Sequence, residues 1–154
     1  MFRVRKYRDE DYLSIQSIVT AATKELRLVY TPKNQCKTNT SQNLEPLRCV
    51  AMDSDGLLVG VAEYMKTSNT YYVQSVAVLP SARQSGVARD LLSYIATVAN
   101  WEGVTTLEIK TIEETGNCKI FESLGFVVSS RIQSERFIGK QGQSIIEVRM
   151  KRDV

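Results

Sequence analysis

The chain has no histidine. That absence excludes histidine-based catalytic triads, histidine metal sites and haem ligation through histidine. Acid–base chemistry must then fall to carboxylates, tyrosine, cysteine, lysine or water. Cysteine is also scarce. Cys36, Cys49 and Cys118 are odd in number and no pair has metal-ligand spacing, so neither a metal site nor a disulfide framework is expected. No run approaches the roughly 20 apolar residues of a membrane helix. The start, Met1-Phe2-Arg3-Val4-Arg5-Lys6, is charged with no apolar stretch behind it, which is not the pattern of a signal peptide. No basic run carries interleaved aromatics, so nucleic acid is not an expected partner. Reduced thiols and no membrane segment fit a cytoplasmic protein.

What is present is an ordinary globular composition. At 154 residues the sequence suits one domain over 1–154 with a substantial core. A net charge of +3 and an isoelectric point near 8.8 suit an anionic ligand without requiring one.

The most informative stretch runs from Tyr71 to Leu92. Tyr71 to Leu79 is β-branched and aromatic with no internal Gly or Pro, which predicts a buried strand. Pro80 ends it, because the ring removes a ladder donor. From Val87 the period changes, and Val87, Leu91, Leu92, Ile95, Val98 and Ala99 recur at helical spacing. Between strand and helix lie small residues, Ser85, Gly86 and Ala88, with Arg83 and Arg89 adding positive charge. A helix start leaves N–H groups unpaired beside a partial positive charge, so this loop has the composition of a phosphate cradle. An ordinary strand-to-helix turn using Gly86 at positive φ has the same composition.

The remaining elements follow in order. Phe2 to Tyr7 alternates as a strand, and Asp9 is placed to cap a helix whose apolar face is Leu13 or Ile15, Ile18, Val19, Ala22 and Leu26. Thr31 to Pro46 is polar and aperiodic, with room for a short second helix. Leu47 to Met52, Leu57 to Lys66 and Tyr71 to Leu79 form a meander joined by the Asp55-Gly56 and Ser68-Asn69 turns. After the helix Val87 to Trp101 come a strand Thr105 to Thr111 and a short helix Asn117 to Leu124 stopped by Gly125. A long strand Phe126 to Ile138, bent, then leads through a Gly139–Gly142 turn to a last strand Gln143 to Lys151.

Two segments carry a resemblance. Arg83-Gln84-Ser85-Gly86-Val87-Ala88 resembles the acyl-CoA motif of the GNAT (Gcn5-related) N-acetyltransferase family, which reads Arg or Gln, two residues, Gly, one residue, then Gly or Ala. Phe121-Glu122-Ser123-Leu124-Gly125-Phe126 is similar to the family's Tyr-Glu-Lys-Leu-Gly-Phe signature. The resemblance spans essentially the whole chain and is strongest from Tyr71 to Phe126. It implies an α/β (α+β) fold, a mixed and mostly antiparallel central sheet flanked by helices. It implies transfer of an acetyl group from acetyl-CoA to a primary amine by direct attack in a ternary complex, without a metal. Dimers are frequent in the family, and the strand edges and last hairpin permit a homodimer.

The resemblance also assigns residues. The N–H of Val76 would hold the thioester oxyanion, and Val78 would bond the pantetheine arm. The cosubstrate would lie against Val76, Ala77, Val78, Arg83, Gln84, Ser85, Gly86, Val87, Ala88 and Arg89, with Asn117 and Phe121 near its reactive end. Three positions depart from the pattern. The strand position that often carries the family's carboxylate is Tyr72. The position of the family's acid Tyr is Phe121, which has no hydroxyl. The position of a family Asn is Glu114, with Asn117 close by. Among the residues themselves, Glu63 stands out as a carboxylate inside an apolar strand, a candidate base or amine anchor, with water-mediated deprotonation as the alternative. Cys118 reads as a packing residue. The departures also support a second class of function, a GNAT-fold protein that binds acyl-CoA or a partner without efficient catalysis. A nucleotide-binding module is disfavoured because the Lys-Ser/Thr ending of a P-loop is missing.

Overall fold

The structure, a computed structural model, describes residues 2–33 and 45–154. In chain order the elements are β1 (Arg3–Lys6), α1 (Tyr12–Leu26), β2 (Tyr30–Pro32), β3 (Leu47–Met52), β4 (Leu58–Thr67), β5 (Thr70–Val78), α2 (Val87–Trp101), β6 (Thr106–Ile112), α3 (Asn117–Ser123), β7 (Val127–Gln133), β8 (Phe137–Gly139) and β9 (Ile146–Asp153). Single 3-10 turns over Asp9–Asp11, Pro80–Ala82 and Glu113–Thr115 join them. Among the described residues the strands form a seven-stranded sheet, ordered β1-β3-β4-β5-β6-β9-β7, and a separate β2-β8 pair. Every pairing is antiparallel except β5 with β6.

The helices bury one stripe each against opposite faces of the sheet. On α2 the stripe is Val87, Leu91, Leu92, Ile95 and Ala99, and it joins Ala51, Ala62, Tyr64, Tyr71, Val73, Leu107 and Met150 in the main core. On α1 Ile15 and Ile18 pack with Val50, Val61 and Ala77 on the other face. Burial of five apolar side chains on one helix gives α2 a firm seat. Gly60 on β4 fits its first turn closely, since a Cβ there would lie 2.6 Å from Val87 Cγ1 and 3.2 Å from Leu91 Cδ1.

The meander and α2 follow the sequence pattern closely, three other expectations need correction, and the choice between Leu13 and Ile15 is settled. The cap before α1 is not Asp9. Asp11 holds that position without a side-chain bond to the helix, and its carboxylate instead accepts the Arg8 N–H at 2.9 Å and both terminal nitrogens of Arg5 at 2.8 Å. The hydrogen bonds from Arg5 hold the Asp11 carboxyl below its ordinary range. Leu13 is 76% exposed, so Ile15 and not Leu13 begins the buried face. The segment Phe126 to Ile138 is two strands in different sheets, broken where the Ser134 hydroxyl accepts the Phe137 N–H at 3.0 Å and makes a local turn. The last strand starts at Ile146, where the Glu114 carboxylate takes the Ile146 N–H at 2.8 Å. The short second helix falls largely on 34–44, outside the described residues, while Tyr30–Pro32 before it is strand β2.

Candidate active site

β5 is the axis of the site, because it loses one neighbour halfway along. Its parallel register with β6 runs only from Thr70↔Thr106 to Val73↔Ile109. On the other side it stays paired with β4 as far as Gly60↔Val78. The register with β4 steps from Glu63↔Ser75 to Tyr64↔Val73, so Gln74 is the extra residue of a bulge. The bulge shifts the side-chain alternation. Tyr71 and Val73 face α2 before it, and Val76 and Val78 pack toward the same core after it.

The direction of the backbone groups follows from the ladder. Leu79 N–H donates to the Val59 carbonyl at 2.9 Å. Alternation in an antiparallel pair then turns the amides of Ala77 and Ser75 toward β4 and those of Val76 and Val78 away from it. Away from β4 is the side that β6 has left. The Val78 carbonyl accepts there from Arg83 Nε at 3.3 Å and Nη2 at 3.4 Å. Two peptide groups of β5 therefore face an opening in the sheet, at the positions expected for oxyanion and pantetheine contacts.

The loop into α2 adds a second set of free donors. Ala82 and Arg83 close the preceding turn, and Asp90 N–H is the next to find a helical acceptor, Gly86 O at 3.0 Å. Between them the N–H groups of Gln84, Ser85, Gly86, Val87, Ala88 and Arg89 have no acceptor among the described residues. Gly86 sits at φ +95° and Gln84 at φ +60°, a conformation a side chain adopts at a cost. The side chain of Arg83 turns toward the end of β5 and ion-pairs with Glu25 of α1. These are the properties of an anion cradle at the N-terminus of a 15-residue helix.

A cavity of about 390 Å³ fills the opening. Tyr72, Gln74, Ser75 and Val76 of β5 form one wall and Ile109 to Ile112 of β6 the other. Thr115, Asn117 and Phe121 close the α3 end, and Leu26, Tyr30, Arg136, Phe137 and Glu147 the far end. The Phe121 ring is held edge-on to Phe126 at 6.0 Å. Of the residues singled out in the sequence, Tyr72, Val76, Asn117 and Phe121 thus share one cavity.

Glu63 does not line it. Its carboxylate accepts from Arg48 Nε at 3.1 Å on the neighbouring strand, across from Ser75. Glu114 is likewise engaged elsewhere, on the Ile146 amide. Burial pushes the Tyr72 hydroxyl up, so it stays protonated and can donate a hydrogen bond but not act as a base. Burial also pushes the Cys118 thiol up and the Cys49 thiol up to about 12, which leaves both as inert packing residues. Among the described residues no group of acidic, cysteine or histidine side chains could hold a metal ion.

The sequence reading missed the carboxylate that does line the cavity. Glu147 on β9 is 8% exposed, and its Oε1 accepts from Ser134 Oγ at 2.8 Å and Arg136 Nε at 3.4 Å. In the strand Val148 and Met150 point into the main core, so Glu147 belongs to the opposite face, which the turn at Ser134 covers. An acidic residue between Ile146 and Val148 was the available signal. The turn that buries it was not legible.

A mixed sheet that opens beside a helix-start anion cradle defines an acyltransferase architecture. The acetyltransferase (GNAT) domain model matches residues 45–128, more than half of the sequence, and the chain belongs to that family. Solved structures share the fold over essentially the full length. The ribosomal-protein-S18-alanine N-acetyltransferase from Escherichia coli is 17% identical with a TM-score of 0.77, the match covering 100% of this chain and 94% of that one. A GCN5-related N-acetyltransferase from Kribbella flavida is 22% identical with a TM-score of 0.74, covering 99% and 98%. An N-acetyltransferase from Staphylococcus aureus Mu50 is 20% identical with a TM-score of 0.76, covering 99% and 98%. A search of curated protein sequences gave no match. No helix among the described residues is long and apolar enough to cross a membrane.

Proposed function

We propose that the chain is a single-domain, cytoplasmic N-acetyltransferase that moves the acetyl group of acetyl-CoA to a primary amine within a ternary complex. The observation that carries this reading is a pair of backbone donor sets, the Val76 and Val78 amides and the loop 84–89, that have no acceptor among the described residues. The loop amides suit the pyrophosphate, with the cationic Arg83 and Arg89 beside them. Val78 suits the amide-rich pantetheine arm, and Val76 the thioester oxygen.

In the reaction the neutral amine nitrogen attacks the thioester carbon and the C–N bond forms. The oxygen gains charge and is held by the Val76 N–H. The carbonyl then re-forms as the C–S bond breaks, with its electron pair leaving on sulfur. The nitrogen gives up a proton to water or a nearby carboxylate, and the thiolate takes one from solvent. No acid is required at Phe121, because a thiolate is a fair leaving group. Among the described residues the Cys49 and Cys118 thiols are buried and pushed up, which disfavours an acyl-cysteine route through either. Glu63, paired with Arg48 outside the cavity, would act through a bridging water.

The test is thiol release from acetyl-CoA across a panel of primary amines. Saturable, amine-dependent release supports the enzyme. Tight acetyl-CoA binding with no release for any amine supports instead an acyl-CoA-binding protein, the reading that the missing hydroxyl at Phe121 favours.

A further inference from the structure

The cavity lining holds two charges of opposite sign, each with an unused valence. The first is Glu147. Its Oε1 takes both the Ser134 hydroxyl and Arg136 Nε, while its Oε2 has no hydrogen bond among the described residues. The Ser134 oxygen already accepts the Phe137 N–H, so its own proton is committed to Glu147 and the carboxylate is fixed as an acceptor. The carboxylate is only 8% exposed and lines the cavity, so its second oxygen can take a donor that a ligand brings in. The second is Lys110. Its Nζ lies 5.8 Å from the Tyr72 ring centroid and has no carboxylate partner among the described residues.

The charges together narrow the acceptor. Among the described lining residues the charged side chains are Lys110, Arg136 and Glu147, two cations against one carboxylate. A plain alkylamine or polyamine would bring more positive charge into it. A protein N-terminus or a lysine side chain offers an ammonium but no carboxylate beside it.

We infer that the acceptor is a small zwitterion, an amino acid or close analogue, whose ammonium is received by Glu147 Oε2 and whose carboxylate faces Lys110. The inference rests on the acetyltransferase reading above and specifies its second substrate. Glu147 orients the nitrogen before it loses its proton. The net reaction then converts ammonium and thioester to amide, thiol and one released proton.

The experiment is thiol release by the full chain with the proteinogenic L-amino acids, each compared with its amide and with the matching amine that lacks the carboxylate. At least one free amino acid should be turned over, with kcat/KM exceeding that of its amide and amine by about tenfold or more. Lys110→Gln should erase most of this acid-over-amide preference. Glu147→Gln should lower kcat/KM for the acid by about tenfold or more while leaving acetyl-CoA affinity unchanged. The wild-type preference needs no variant, so a misfolded mutant does not remove the test. Amides or peptides turned over as well as free acids, or no amino acid turned over at all, would overturn the inference. Acetyl-CoA affinity, measured separately by calorimetry, reports on the acetyltransferase reading, so the two failures are distinguishable.

Discussion

Replacing Gly60 by Ala tests how the sheet positions the start of α2. The added Cβ would sit 2.6 Å from Val87 Cγ1, 3.2 Å from Leu91 Cδ1 and 3.3 Å from the Ala77 carbonyl. Val87 cannot turn aside cheaply, because a β-branched residue in a helix keeps essentially one rotamer. The first turn of α2 must therefore move outward. Overpacking of this kind costs about 1–3 kcal/mol. The lost flexibility of the unfolded chain returns about 0.4–1 kcal/mol. With a rigid neighbour the overpacking term falls in its upper range, and the net loss is about 1–2 kcal/mol. For a chain of this length that lowers the melting temperature by about 2–8 °C. Because Val87 and Ala88 belong to the loop of free amides, acetyl-CoA affinity should fall as well. The assay is thermal unfolding of Gly60→Ala, Val87→Ala and the double variant, with calorimetry for acetyl-CoA. Removing Cγ1 relieves the overlap, so the double variant should be more stable than the sum of the singles predicts by about 1 kcal/mol. Additive singles, or a Gly60→Ala variant as stable as the parent, would refute the packing argument.

Three further outcomes follow from the same geometry. Gly86→Ala imposes a side chain at φ +95°, worth about 1–2 kcal/mol, and should weaken acetyl-CoA binding by about five- to thirtyfold in calorimetry. Arg83→Glu places a carboxylate opposite Glu25 and beside the loop, and should weaken acetyl-CoA binding with a reduced dependence on salt, whereas an unchanged affinity would remove Arg83 from the site. Asp11→Asn should cost about 1.5–3 kcal/mol near neutral pH by weakening the charge-assisted bonds from Arg5 and Arg8. Since the folded-state pKa of Asp11 is depressed, its contribution is complete above the unfolded value near 4 and disappears as pH falls through the folded value. Urea melts of parent and variant should therefore differ at pH 7 and converge in acid.

How far the sequence reached depends on whether each feature is local. α2 was legible to the residue, because a 3.6-residue stripe and a glycine at its cap act within one segment. β3 was legible for the same reason, being a short apolar run closed by Asp53-Ser54-Asp55-Gly56. The loop 83–89 stood out by composition, and the structure adds the φ values and the amides without an acceptor among the described residues. What failed were features made by distant partners. Asp11 outcompetes Asp9 at the start of α1 because Arg5, on the preceding strand, reaches it. The break at Ser134 follows from a hydrogen bond to Phe137 and the pairing of β8 with the remote β2. Glu147 becomes a cavity residue only through that break. Glu63 interrupts an apolar strand, and its ion pair with Arg48 across the ladder is visible only once the strands are paired.

The central claim is that the opening beside β5 and the loop before α2 form one acyl-CoA site. Calorimetric titration of the full chain with acetyl-CoA, with ATP and dephospho-CoA as controls, tests it most directly. The account predicts saturable one-to-one binding of acetyl-CoA in the micromolar range and much weaker binding of ATP. Absence of acetyl-CoA binding, or equal binding of ATP, would contradict it and leave residues 83–89 as an ordinary turn into a helix.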